Sequence, residues 1–224
     1  MLIRLALLIA ATAGVTCRAA EEHVVGGTTS PNKKMEVVEV RTKGGDRDYY
    51  FVLRSSGKKV GVVLPVEQRG EISNVAVVAS WNRKSTSVAL LVFYGTKLSQ
   101  LLLYARNADG KIVQIELPEP DPLALYRERT GKAIPQPGDG FSENGLGPWL
   151  DESTICLVAG EAKQTENVGQ YNHVFVTFRA RITGRRAKIS HLELIGPLSN
   201  AQKEDFAKKW GRHYFEAGEE RTSK

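Results

Sequence analysis

Two stretches of this chain, Trp81-Asn-Arg-Lys-Ser-Thr-Ser-Val-Ala-Leu-Leu-Val92 and Trp149-Leu-Asp-Glu-Ser-Thr-Ile-Cys-Leu-Val158, read as copies of one unit. Each places a tryptophan before a polar turn that holds a Ser-Thr pair, then runs into an apolar segment. That order is the pattern of two strands joined by a short turn. The likeness continues downstream. Leu101-Leu-Leu-Tyr104, Asp109-Gly110-Lys111 and Glu116-Leu117-Pro118 are echoed by Val174-Phe-Val-Thr177, Thr183-Gly184-Arg185 and Glu193-Leu194 with Pro197. A fainter copy of the hairpin lies earlier, in Tyr50-Phe-Val-Leu53, Gly57-Lys58-Lys59 and Val62-Val-Leu-Pro65. Self-similarity on this scale marks supersecondary units that bury their apolar faces on one another.

Outward from these copies, strands punctuated by turns are expected at 35–43, 46–56, 60–64, 74–81, 88–94, 101–106, 111–117, 154–158, 172–183 and 187–195. Residues 88–94 are apolar almost throughout, so that strand is expected to be covered on both faces. A short helix is expected after Asp121, with Asp121 as its cap, Pro122 at its first position and Gly131 at its end. The Gly/Pro-rich stretch 132–148 reads as a long surface loop, and Cys156 as a buried, inert thiol on a strand. A final amphipathic helix starts at Ser199, with Gln202 completing a capping box, and carries the stripe Phe206, Trp210 and Tyr214.

A tryptophan, a polar turn, an inner strand and a Gly-centred outer hairpin together resemble a degenerate β-propeller blade over roughly residues 46–197. The family's Gly-His and Trp-Asp signatures are absent. The Gly57-to-Gly110 and Gly110-to-Gly184 intervals are unequal, and propellers close with four to eight blades. The resemblance therefore implies a mainly β fold of meandering antiparallel sheets, in a propeller-blade-like or sandwich arrangement. A short mid-chain helix and a C-terminal amphipathic helix complete it.

The address is read from the first nineteen residues. Met1-Leu2-Ile3-Arg4, an apolar run from Leu5 to Ala13 and the small-residue exit to Ala19 have the anatomy of a secretory signal peptide. The run is too short for a bilayer-spanning helix. Residues 1–19 are thus expected to be a signal peptide, 20–34 a flexible leader, 35–215 one β-rich domain and 216–224 a disordered tail. The protein is expected to be exported, periplasmic or extracellular, with no stable membrane span. Cys17 as a lipidated N-terminus is the poorer reading, because Thr16 and Gly14 fit a lipobox badly. Cleavage after Ala19 leaves Cys156 as the sole cysteine, so no internal disulfide supports the domain. The net charge of +6 is spread along the chain and argues for solubility rather than nucleic-acid binding.

No nucleophile elbow, phosphate-cradling loop or metal-ligand spacing is present, and no metal or cofactor is expected. If the last hairpin turned between Gly184 and Arg185, His173 would oppose Gly196 and His191 would oppose Phe178, so the two histidines would not meet. The 134–149 segment is the best candidate for function, with Phe141, Glu143 and Trp149 as ligand contacts. The expected function is a non-enzymatic binding module holding a protein or glycan partner. The alternative is an envelope-polymer hydrolase with two acids drawn from Glu119, Asp121, Asp139, Glu143 and Asp151. Self-association through an open sheet edge is a third reading.

Overall fold

The computed structural model describes residues 21–41, 47–63, 75–95, 98–134 and 140–210. The expected signal peptide, Cys17, Asp139, Tyr214 and the tail 216–224 lie outside the described residues. The fold is mainly β, in three antiparallel sheets. Each is a meander in chain order: β1 (Glu21–Val24) to β4 (Lys58–Val62) through β2 (Met35–Arg41) and β3 (Arg47–Leu53). β5 (Val75–Trp81), β6 (Ser87–Tyr94), β7 (Leu98–Arg106) and β8 (Ile112–Ile115) form the second. The third is β10 (Gly145–Trp149), β11 (Thr154–Gln164), β12 (Tyr171–Thr183) and β13 (Arg186–Leu198), with β9 (Gly140–Ser142) also paired to β11.

The second sheet is covered on both faces, as its unbroken apolar strand requires. Val88, Leu90 and Val92 point into a core shared with Met35, Val37 and Phe51 of the first sheet. Ala89 and Leu91 point the other way, onto Ile155, Leu157 and Phe178 of the third. Alternation along one strand thus fills two cores. Phe51 meets Trp81 and Tyr104 edge-on, with ring centroids 6.0 and 5.1 Å apart. The Tyr104 hydroxyl, buried in that core, donates to the Val63 carbonyl.

The two tryptophan turns do equivalent work. The Trp81 indole N–H donates to Thr28 O at 2.8 Å, and that of Trp149 to Ser80 O at 3.0 Å. Each tryptophan therefore reaches back to the preceding sheet. In both turns an acid or amide oxygen holds the Ser-Thr pair. Asn82 Oδ1 accepts from Thr86 N, and Asp151 Oδ1 accepts from Ser153 N and Thr154 N.

Two expectations are corrected. The stretch read as a leader contains β1, paired along its length with β2. Beyond it, buried Thr28 accepts from Val37 N and buried Ser30 accepts from Met35 N. An exposed edge strand is held by its backbone ladder and needs no apolar side chains, so its polar sequence hid it. The stretch read as a long loop contains β9 and β10. Gly140, Gly145, Gly147 and Pro148 weaken a strand, but an edge tolerates them.

Helix α1 (Pro122–Thr130) begins as expected, with Asp121 accepting from Ala124 N at 2.8 Å and Gly131 closing it in the left-handed region. Helix α2 (Asn200–Trp210) has the Ser199–Gln202 box, with Ser199 N donating to Gln202 Oε1 at 2.9 Å. Phe206 stacks on Phe175 at 4.8 Å, so α2 covers part of the outer face of the third sheet. Among the described residues no helix is long and apolar enough to cross a membrane.

Candidate functional site

β9 and β10 act as one edge strand of the third sheet, interrupted at Glu143-Asn144. Both pair with β11, β9 around Ala162 and β10 around Leu157. At the gap Glu143 N donates to Gly160 O at 2.7 Å, while the Asn144 side-chain oxygen replaces a backbone acceptor for Gly160 N, at 3.2 Å. Gly160 permits this approach: a Cβ there would lie 2.3 Å from Glu143 O. The break is also laced to β7. Ser99 N donates to Ser142 Oγ at 2.7 Å, and the Asn144 amide donates to Ser99 O at 3.0 Å.

Two environments open on either side of this break. On one side, Glu119, Asp121, Ser142, Asn144, Gly160 and Glu161 line a recess of about 270 Å³. The extended run 117–121 between β8 and α1 brings Glu119 across β11. Glu119 keeps one side open to solvent, but its carboxyl is crowded by surrounding protein atoms. That burial pushes its pKa up to about 7, opposed in part by a hydrogen bond from Asn144. Asp121 is occupied as the α1 cap, and Glu161 sits 3.6 Å from Lys163 Nζ.

On the other side lies a buried charge network beneath α2. Glu143 Oε2 is 2.6 Å from His173 Nδ1, and Glu143 Oε1 is 2.7 Å from Lys203 Nζ. The Glu143 and His173 side chains are each 3% exposed. His173 Nε2 lies 3.0 Å from Asn200 Oδ1. That oxygen also accepts from Tyr171 N at 3.1 Å, while the Asn200 amide nitrogen donates to Gly169 O at 3.0 Å, so the amide orientation is fixed. Both ring nitrogens therefore face acceptors, and the network is complete when the ring carries both protons. It ties α2 to the β9–β10 break and to β12.

The comparisons single out no relative. No protein-family model, no curated protein and no solved structure matches this chain.

Of the three residues expected to contact ligand, none lines the recess. Phe141 packs edge-on against Tyr171 at 5.0 Å, Glu143 turns to His173, and Trp149 is part of the contact between sheets. Their neighbours Ser142 and Asn144 face the recess instead. Sequence reading took this strand for a loop and so did not anticipate that alternate residues turn to opposite faces. His173 opposes Leu198 rather than Gly196. The register holds from the turn to Arg179–Ser190, then slips at His191 and again at Gly196-Pro197, two bulges with no signature in a hydropathy pattern. Among the described residues no group of three or more His, Cys, Asp or Glu side chains is placed to hold a metal ion.

Proposed function

We propose that this chain is an exported, non-enzymatic binding module that captures a donor-bearing group of a glycan or peptide in the Glu119 recess. The observation that carries the reading is the Glu119 carboxyl, held under-solvated with a pKa near 7 at the wall of a concave site. An amine or hydroxyl arriving there restores the hydrogen bonding that crowding removed. A recess of about 270 Å³ is small for a ligand site, so it suits one sugar unit or one side chain rather than a whole cofactor. The test is thermal unfolding against glucosamine oligomers, neutral oligosaccharides and lysine-containing peptides. A ligand at a hundred times its dissociation constant adds about 2.7 kcal/mol of stability. A raised midpoint that disappears in Glu119→Ala supports the reading, and a flat panel sinks it.

Glu119 also supports a second reading, hydrolysis with two acids. Near neutrality its carboxyl still holds a proton to donate, and the carboxylate residues Asp121 and Glu161 line the same recess. Product release from an oligosaccharide that stops in Glu119→Gln would favour the enzyme, and binding without turnover the module.

The raised pKa has a consequence for stability whatever the ligand. The folded state holds this proton more tightly than the unfolded chain, so stability falls as pH rises from about 4.5 to about 7. Glu119→Gln is expected to stabilise the protein above pH 7, on the order of 1 kcal/mol once the open side is discounted, and to change nothing below pH 4. Melting curves at pH 4 and pH 8 check this, and an equal shift at both would show that ionisation is not the cause.

A further inference from the structure

The outer face of the third sheet, beyond the part under α2, carries cations that form no ion pair with an acid among the described residues. Phe178, Ala180 and Ile182 point inward to the core, so Arg179 and Arg181 point out, and both are exposed. Across the ladder Arg181 sits directly opposite Lys188, also exposed. Two like charges facing each other across a strand pair oppose folding, and their neighbours in register, Thr154, Cys156 and Ser190, offer no carboxylate. The acids on this face stand off the pair, Glu193 opposite Thr177 and Glu116 paired with Arg186. A bulge then adds to the same surface. His191, with φ of 54°, stands at the register slip and brings its Nε2 to 3.4 Å from an Arg179 guanidinium nitrogen. Bulges re-aim side chains in this way.

We propose that this face docks an acidic polysaccharide, whose carboxylates run along β12 and β13 and pair with Arg179, Arg181 and Lys188. Residues two apart on a strand lie about 7 Å apart, so Arg179 and Arg181 stand one such step apart along β12, with Lys188 beside Arg181 on β13, a spacing that suits charges repeated along a linear polymer. The chemistry of the face selects among polyanions. Among the described residues the exposed large apolar side chains are Val24, Val62, Leu98, Leu150 and Val168, none of them on β12 or β13, so these two strands offer nothing to insert into a bilayer. It presents no exposed aromatic platform on which bases would stack. The proposal extends the binding-module reading to a second surface, on the opposite face of the sheet from the recess.

Polygalacturonate is the probe, titrated into the full chain at several salt concentrations, with dextran as its neutral counterpart. Binding is expected to polygalacturonate alone and to weaken as salt rises. The triple variant Arg179→Gln, Arg181→Gln, Lys188→Gln is expected to lose at least about tenfold in affinity and to flatten the salt dependence. A variant with the same charge change elsewhere, Lys58→Gln, Arg83→Gln, Lys111→Gln, is expected to bind within about twofold of the parent. Glu119→Gln leaves this face intact and is expected to bind normally, which separates failure here from failure at the recess. Thermal unfolding of the triple variant checks its fold, and relief of the Arg181–Lys188 repulsion predicts a midpoint no lower than the parent's. If that variant does not fold, Arg181→Gln alone is expected to lose about threefold. No binding, or equal loss in both triple variants, overturns the proposal. So does binding to phosphatidylglycerol vesicles in place of polygalacturonate.

Discussion

Glu143→Ala is expected to destabilise the protein by about 3–5 kcal/mol, the range for removing one partner from a buried ion pair. The loss comes less from the missing attraction than from what is left behind. His173, 3% exposed, would keep a ring nitrogen facing an emptied space, and Lys203 Nζ would lose the carboxylate oxygen now 2.7 Å away. For a domain of this size the midpoint falls by roughly 2–4 °C per kcal/mol, so a drop of roughly 6–20 °C is the expected reading. The same physics predicts the opposite for a concerted replacement. Glu143→Leu with His173→Phe and Lys203→Met leaves no charge to solvate and extends the apolar contact made by Phe175 and Phe206. That triple variant is expected within about 1 kcal/mol of the parent or above it. A Glu143→Ala shift below about 1 kcal/mol would mean that water already reaches the network, and the buried-lock account of α2 would fail.

The large elements of this fold were legible because each rests on a local rule. The apolar run 88–94 implied a strand covered on two faces, and Val88 and Ala89 do point into different cores. Asp121, Pro122 and Gly131 bracketed α1, and Ser199 with Gln202 opened α2, because capping is chemistry between near neighbours. The Trp81 and Trp149 repeats were readable as repeats, yet their purpose was not. Only the fold reveals that both indoles bond back to the preceding sheet. The site was less legible still. Asn144 matters because Gly160 N and Ser99 O converge on it from residues 16 and 45 positions away. Glu119 is perturbed by crowding that arises only when 117–121 crosses β11. His173 was judged by a register that two bulges later shifted, and its true partner came from the segment read as a loop.

Gly160→Ala is expected to be the most damaging substitution of a single methyl group, at more than about 3 kcal/mol, above the usual range for overpacking. The reason is what the added Cβ meets. It would lie 2.3 Å from the Glu143 carbonyl oxygen and 2.5 and 2.6 Å from two ring carbons of Phe175. The ring could turn, but the carbonyl belongs to the break in the edge strand and accepts no such shift without moving Asn144 as well. Gly160 N donates to Asn144 and Gly160 O accepts from Glu143 N, so displacement there disturbs the recess on one face and the His173 network on the other. The substitution is therefore expected to lower the melting midpoint by roughly 6 °C or more and to weaken ligand capture at Glu119 together. Gly26→Ala is the matched control, since a Cβ at Gly26 meets nothing within 4 Å, and it is expected to leave both readouts unchanged. If Gly160→Ala instead behaves like Gly26→Ala, the close passage of the edge strand over β11 is wrong. The recess and the buried network would then lose the backbone contact that joins them.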